Sequence, residues 1–289
     1  MGEIIKEVTP EVWNRVKINC KAIFRVYIKI LGSIFSILGV ISVFFDIQEI
    51  LVAFGLKIIS ILSILLFAFL IALTYTVLTK KVTIRSVIVK EFDVTFGDLF
   101  RDTAPIKVIP FNCCFDTVVN DTLIAEKTLH GQFINKYFKN NIDALDMLIE
   151  EALHKKKYPS EQVNFEIKSE GKRTRYPFGS IAEIKHGDTI FYLLALTEFD
   201  ENLNAHCNCN QYACAINSLL AYYDKHSQGW DISIPLIGSG DMSRLNKGKQ
   251  YVLETLVSLI KMNDDKLRGK LKIIVFKGDR DVISIRNLV

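Results

Sequence analysis

Residues able to bind or to react gather in three stretches of this 289-residue chain. The first is Gly97-Asp98-Leu99-Phe100. The second runs from Asn112 through Cys113, Cys114, Phe115, Asp116 and Thr117 to His130-Gly131-Gln132. The third is Ile234-Pro235-Leu236-Ile237-Gly238-Ser239-Gly240-Asp241-Met242. Gly238 and Gly240 follow an apolar run and precede a helical pattern. A glycine pair there lets backbone N–H groups approach a phosphate, and the same pair also serves as a plain turn. Other constellations are weaker. His206, Cys207, Cys209 and, further on, Cys214 suggest metal ligands, but Cys207-x-Cys209 is a poor spacing for a structural zinc site and no second ligand pair follows. Cys113-Cys114 invites a nucleophile reading, with no base partner set by the sequence. Lys155-Lys156-Lys157 and Lys172-Arg173-Arg175 read as solvated charge. No P-loop or Gly-x-Gly-x-x-Gly fingerprint stands at a strand–helix junction.

The elements that must position these loops lie in residues 80–289. Val82 to Val94 is rich in β-branched residues and reads as a strand. Ile106 to Phe111 is a short apolar run, as a buried strand would be. Ile142, Leu145, Leu148, Ile149, Ala152 and Leu153 mark one face of a helix. Lys155 to Arg175 is polar and basic and reads as a long surface excursion. Ser180–Ile184 and Thr189–Thr197 predict two strands joined at His186-Gly187-Asp188. Helices follow from Ala213, Ile216, Leu219, Leu220 and Tyr223, and from Val252, Leu256, Leu259 and Ile260. Ile232–Ile237 and Leu271–Phe276 read as buried strands. Strand and helix alternate, so an α/β domain with a largely parallel or mixed sheet is expected, with ligands at the carboxyl ends of its strands.

Composition bounds the rest. Apolar residues make up 49% of the chain and charged residues 24%, and mean hydropathy is +0.23. A general state of disorder is excluded. Six cysteines without a cleavable leader do not make a disulfide scaffold. A net charge of +4 gives no sign of a nucleic-acid surface. The excess hydrophobicity sits in two uncharged runs, Ile30–Phe45 and Ile58–Thr79. A 22-residue helix rises about 33 Å, enough to cross a hydrocarbon core of about 30 Å. The first run spans when extended back to Val26 with Lys29 snorkelling. Two transmembrane helices are expected, about 26–45 and 58–79, after a cytosolic amphipathic lead-in over 1–25. There Pro10 suits a first helical turn capped by Thr9. Lys and Arg flank the pair on its outer sides, while the link between has Lys57 alone. The positive-inside rule then keeps both termini and residues 80–289 in the cytoplasm, where the cysteines stay reduced. Gly32, Ser33, Ser36 and Gly39 are small residues that allow close helix packing or serve as lipid-facing filler.

Together the three loops resemble a macro domain, the ADP-ribose-binding α/β module, over about residues 82–289. That family carries a Gly-Asp-Ile-Thr stretch whose Asp holds the adenine amino group, matched here by Gly97-Asp98-Leu99-Phe100. An Asn near the distal ribose follows about fourteen residues on, matched by Asn112. The second phosphate loop follows a strand and a Pro, as Gly238-Ser239-Gly240-Asp241 follows Pro235 and Ile237. Met242 stands where an aromatic often closes over the ribose. The glycine triplet usual after the Asn is replaced by Cys113-Cys114-Phe115-Asp116-Thr117 and, further on, Leu129-His130-Gly131-Gln132-Phe133.

A membrane hairpin ahead of a macro domain with Phe-Asp-Thr, Leu-His-Gly-Gln-Phe and Ile-Pro-Leu-Ile-Gly-Ser-Gly resembles the effectors of type II Thoeris antiphage defence. In that family a partner TIR-domain enzyme consumes NAD and makes histidine-conjugated ADP-ribose. The effector binds this signal, assembles as a homo-oligomer and damages the bacterial inner membrane, which aborts infection. The resemblance implies a multi-pass membrane protein that is not an enzyme, has no resident cofactor, and meets a nucleotide signal and lipid rather than nucleic acid. It implies ligand contact at Asp98, Leu99, Asn112, Asp116, Thr117, His130, Gly131, Ile237, Gly238, Ser239, Gly240, Asp241 and Met242. Each polar member has a structural alternative. Asp98 can cap a turn and Asn112 can stabilise its loop. Asp116 and Thr117 can meet a cationic moiety or form Asx and Ser/Thr turns. His130 can line the diphosphate or pack as a structural histidine. A membrane-anchored ADP-ribosyl hydrolase is the alternative function.

Overall fold

The computed structural model describes residues 2–44, 57–86, 90–239 and 248–289. The chain forms two compact units, residues 1–82 together with 278–289, and residues 83–277.

The first unit is helical. Helix α1 spans Gly2–Ile18, α2 Cys20–Phe44 and α3 Lys57–Leu78. Pro10 lies inside α1 rather than at its first turn, and the break in the helical run falls instead at Asn19. There the side-chain amide donates to the Arg15 carbonyl oxygen at 2.8 Å, so a polar side chain competes for a helix carbonyl at the junction. Helices α2 and α3 are long and apolar enough to cross a membrane. Their large side chains, among them Phe35, Val40, Leu62, Leu66 and Phe67, are exposed, as a lipid-facing surface requires. Where α2 and α3 meet, Tyr27 and Phe69 stack edge to face with centroids 6.0 Å apart. Ala68, Ala72 and Thr76, spaced four apart on α3, are buried, and it is this stripe of small side chains that admits a neighbour. Gly32 and Gly39 take no part, since a Cβ on either would meet nothing within 4 Å.

The tail of the chain completes this unit. Asp281 pairs with Arg15 at 2.6 Å. Ser284 donates to the Asn19 side-chain oxygen at 2.6 Å, and Arg286 donates to Thr79 Oγ1 at 3.1 Å while lying 4.1 Å over the Tyr75 ring. Ile283 and Ile285 are buried between these polar contacts.

The second unit is a mixed sheet flanked by helices. The expected strand over Val82–Val94 is two strands, β1 (Lys81–Arg85) and β2 (Glu91–Gly97). Strand β3 is Ile106–Asn112, followed by α4 (Leu129–Tyr137) and α5 (Ile142–Lys156). Short strands β4 (Glu161–Gln162) and β5 (Thr174–Arg175) pair antiparallel. Then come β6 (Ile181–His186), β7 (Thr189–Phe199), β8 (Ala205–His206), α6 (Cys209–His226), β9 (Ile232–Pro235), α7 (Lys249–Met262) and β10 (Leu271–Phe276). The strand order is β1-β2-β10-β9-β3-β7-β6, with β8 on β7. Strands β2, β10, β9, β3 and β7 are mutually parallel, and β6 returns antiparallel to β7.

Apolar spacing sets both faces. On α5, Leu145, Ile149 and Leu153 are buried at i, i+4, i+8, while Leu148 stays exposed. They pack with Phe133 and Phe138 against Ile109, Phe111, Phe191 and Leu193. On α6, Tyr212, Ile216, Leu219 and Tyr223 are buried. Asn208 starts this helix with a capping box, its side chain accepting from Gln211 N while Gln211 accepts from Asn208 N. Between β2 and β3 the chain crosses the sheet with only a single 3-10 turn, Leu99–Arg101. Asp102 pins that crossover, accepting from Ala104 N, from Ser233 Oγ at 2.6 Å and from Lys272 Nζ at 3.1 Å. Burial raises its carboxyl pKa, but these donors outweigh that and hold it below the usual range.

Candidate functional site

The parallel strands carry their following loops to one carboxyl edge. The register pairs Phe276 with Gly97 and Ile274 with Pro235, and Asn112 lies across from Thr197 after a bulge at Phe111/Asn112. The ends of β2, β9 and β3 therefore present Asp98, Leu236–Ser239 and Asn112 on the same side. Gly240, Asp241 and Met242 lie outside the described residues.

Asp98 caps the single turn of 3-10 helix Leu99–Arg101, its Oδ1 accepting from Phe100 N at 2.9 Å. Its side chain is 41% exposed, and Oδ2 lies 3.5 Å from Arg101. The carboxylate thus keeps an open side while holding its own turn. Leu99 is buried in the core as a whole residue. Asn112 is buried, and its Oδ1 accepts from Cys114 N at 3.0 Å and Asp116 N at 3.4 Å. That Asx arrangement bends the chain sharply at the strand end. Phe115 sits there at φ 52°, an uncommon conformation for a bulky residue. Its ring is held between Phe111 and Tyr176, so packing pins a strained residue in the loop.

The next two side chains turn inward and are met by the segment expected to be a surface excursion. Asp116 is 1% exposed and pairs with Lys168, 2% exposed, at 3.0 Å. Lys172 N also donates to Asp116 Oδ1 at 2.6 Å, and Lys168 Nζ donates to the carbonyls of Glu170 and Lys172. Burial pushes the Asp116 carboxyl up despite the Lys168 ammonium. Gly171 closes over this pair at φ 78°, and a Cβ there would fall 2.2 Å from Asp116 Oδ1. Thr117 Oγ1 donates to Asp146 on α5 at 2.7 Å, and Lys172 Nζ donates to the same oxygen at 2.6 Å. Residues 168–172 are thus a lining of the second loop, with Lys168 a buried charge rather than a solvated one. Spacing alone carried no signal for this pairing. The one hint in the sequence was Gly171 within a charged run.

His130 opens α4. Its Nε2 lies 3.0 Å from the Asp116 carbonyl oxygen, which fixes the proton on that nitrogen, and its ring stacks on Phe111 with centroids 3.5 Å apart. Burial holds its pKa down to about 3, so the ring is neutral. Gly131 gives room for close approach, since a Cβ would fall 2.5 Å from the Ala125 carbonyl oxygen. Beside the loop, Arg175 pairs with Glu198 at 3.0 Å and with Glu161 at 2.7 Å, and Gln211 donates to Glu198. Asn112, Cys114, Lys168, Arg175 and Glu198 line a cavity of about 10 Å³, the room of roughly one water. Burial pushes the Cys114 thiol up to about 11 and the Cys113 thiol higher still.

The third loop leaves β9 through buried Leu236 and Ile237. Tyr212 on α6 donates to the Ile237 carbonyl oxygen at 3.2 Å, and Ser239 Oγ donates to Leu236 O at 2.8 Å. Gly238 turns at φ 78°. The loop is therefore anchored from below before its backbone turns outward. All six cysteines are free thiols. Among the described residues, no group of three or more His, Cys, Asp or Glu is placed to hold a metal ion. The edge thus brings together the open Asp98 carboxylate, the buried Asn112 side chain and the anchored Leu236–Ser239 segment.

The family model described as Thoeris protein ThsA, Macro domain, matches residues 92–276. A Thoeris protein ThsA from Bacillus amyloliquefaciens (strain Y2) is 32% identical over 205 residues, which are 68% of this chain. The chain spans 66% of the length of that relative. Among solved structures, a mutant of the Oceanobacillus iheyensis macrodomain aligns with a TM-score of 0.47 at 11% identity, over 71% of this chain and 93% of that one. The same macrodomain with ADP aligns at 0.44 and 12%, over 70% and 93%. The matched segment runs from the second residue of β2 to the last residue of β10, and so takes in the whole parallel sheet and all three loops. By that match, the chain belongs to the ThsA macro domain family of Thoeris proteins.

Proposed function

We propose that this chain is a membrane-bound receptor and effector of antiphage defence. Its macro domain binds an ADP-ribose-derived signal, histidine-conjugated ADP-ribose, made by a partner TIR-domain enzyme from NAD. The observation that carries the reading is the meeting of Asp98, Asn112 and the Leu236–Ser239 loop at one carboxyl edge, in a chain of this family. In it Asp98 accepts from the adenine amino group and the glycine loop donates backbone N–H groups to the diphosphate. Asn112 holds the second loop in the shape that meets the distal ribose.

The bound signal favours an assembling form, in which the α2–α3 hairpins of several copies join and breach the inner membrane. For that, the ligand must bind the assembled form more tightly than the resting one. Both termini and the macro domain face the cytoplasm in this reading, in line with the Lys and Arg distribution.

The reading is of a non-enzymatic receptor. Support comes from the protonation states beside the second loop. Cys113 and Cys114 are held as thiols, and His130 is neutral with its Nε2 committed to the Asp116 carbonyl oxygen. Lys168 already occupies the Asp116 carboxylate. A hydrolase would need a poised base or nucleophile there.

The test is calorimetric titration of the full chain in detergent with ADP-ribose and with its histidine conjugate. The expected result is tighter binding of the conjugate, lost in Asp98→Ala and Asn112→Ala, with both ligands recovered intact. Absence of binding by either ligand refutes the receptor, and release of free ADP-ribose from the conjugate assigns the hydrolase instead.

A further inference from the structure

Outside the three loops, the outer flank of the sheet carries a cleft of about 360 Å³. It opens where edge strand β6 begins, between the last turns of α5 and α6. Its size falls within the range of pockets that hold small organic ligands. Lys156 ends α5, while Lys225 and His226 end α6. Ser180 and Tyr158 line the floor beside them, and Phe178 and Tyr222 form walls. Among the described residues that line it there is no carboxylate. The cleft shares no residue with the three loops of the carboxyl edge.

One of its hydroxyls is buried without a hydrogen-bond partner. Ser180 is 2% exposed, and its hydroxyl has no hydrogen-bond partner. Native structures keep few buried polar groups unpaired, and each one calls for a reason. Tyr158 OH accepts from Ile181 N at 3.3 Å, which leaves its own proton to give. Lys156 Nζ lies 3.2 Å from His226 Nε2 and 4.6 Å over the Tyr222 ring. Burial and then Lys156 hold His226 below the usual histidine range, so its ring accepts from that ammonium. The nearby carboxylate, Glu183, is engaged by the Tyr222 hydroxyl at 2.8 Å. Gly179, at φ 84°, brings the backbone against α6, where a Cβ would fall 2.6 Å from Ser218. The floor is thus built by a residue that only glycine satisfies.

We propose that this cleft is a second ligand site, for a small aromatic compound bearing one phosphate group. The phosphate meets Lys156, Lys225 and the hydroxyls of Ser180 and Tyr158. The ring lies against the aromatic walls. The site is separate from the ADP-ribose reading of the carboxyl edge and stands without it.

Phenyl phosphate and inorganic phosphate are the probes, titrated calorimetrically into the full chain in detergent. Phenyl phosphate is expected to bind one per chain and at least tenfold more tightly than phosphate, unaffected by saturating ADP-ribose or by Asp98→Ala. Lys156→Gln with Lys225→Gln abolishes binding. Ser180→Ala weakens it about tenfold and leaves the melting temperature equal or higher, because it removes an unpaired buried hydroxyl. The proposal is overturned by the absence of saturable binding, by unchanged affinity in Ser180→Ala, or by displacement with ADP-ribose. Loss of the phenyl phosphate signal in micelles doped with phosphatidic acid assigns the anion to a lipid headgroup and overturns the soluble ligand.

Discussion

Replacing Lys168 by Met keeps the girth of the side chain and removes its ammonium. In the folded chain that ammonium lies 3.0 Å from Asp116 Oδ2 and 3.1 Å from Oδ1, and it also donates to two carbonyls. Removing one member of a buried pair strands the other, at a cost of about 3–5 kcal/mol. For a unit of this size each kcal/mol moves the melting temperature by about 2–4 °C, so a fall of about 6–20 °C is expected. The loss depends on pH, and its sign follows from Asp116. Burial already raises that carboxyl above the ordinary carboxylate range, against the pull of Lys168. Without Lys168 the folded variant takes up a proton that the unfolded chain releases. Its stability is then present at low pH and lost as pH rises through the folded pKa. The deficit relative to the parent is largest at the alkaline end of a pH series and shrinks toward its acid end. Thermal unfolding of the full chain in detergent, followed by intrinsic fluorescence across that series, measures it. Adding Asp116→Leu recovers most of the loss and leaves about 1–3 kcal/mol for the Lys172 N–H deprived of its acceptor. A single-variant loss under about 1 kcal/mol, or a deficit flat in pH, refutes the reasoning.

Three further outcomes are expected. Gly131→Ala places a methyl against backbone, so it costs about 1–3 kcal/mol by overpacking, read as a lowered melting temperature. An unchanged value would show that the 125–131 turn yields. Asp102 titrates below the usual carboxylate range, because Ser233, Ala104 and Lys272 outweigh its burial. Its contribution is present above the ordinary carboxylate pKa of the unfolded chain and lost as pH falls through the lower, folded value. The parent therefore loses stability more steeply below pH 4 than Asp102→Asn, and parallel acid-unfolding curves would contradict this. Gly32→Leu and Gly39→Leu meet no neighbour in a single copy. They leave ADP-ribose binding intact and suppress ligand-dependent oligomers seen by cross-linking. Oligomers that persist in both variants would exclude that helix face from assembly.

Much of the fold is written in local patterns. The apolar run Leu271–Phe276 is β10 as expected, and the Thr189 start of β7 is marked by the Gly187 turn. The two uncharged runs are helices α2 and α3. Failures occur where the deciding contact is distant or the local signal is missing. The β-branched run Val82–Val94 is divided between β1 and β2, and no Gly, Pro, Asn or Asp stands between Arg85 and Glu91 to signal it. Lys168 looks solvated by composition, yet its partner Asp116 lies 52 residues away. Asp102 reaches Ser233 and Lys272 across separations of 131 and 170 residues. The three loops were legible because glycine, Asp and Asn follow apolar strands. The lining of the second loop was not, since it arrives from a segment with no periodicity. For Asp98 and Asn112 the geometry shows the structural duty, a cap and an Asx turn, that single-residue reasoning had set beside ligand contact.

The clasp formed by residues 278–289 has a consequence for the order of synthesis. About 200 residues separate the end of α3 from Gly278. At about 5–20 residues per second, some 10–40 s pass between the two leaving the ribosome. Through that interval Asn19 lacks the Ser284 hydroxyl, Arg15 lacks Asp281 and the Tyr75 ring lacks Arg286. The helices made first thus receive their last contacts from residues made after the whole sheet. A ribosome that stalls within α7 releases a chain with both apolar helices and no clasp. In such a chain Arg15, Asn19 and the Tyr75 ring lack every contact that the tail supplies.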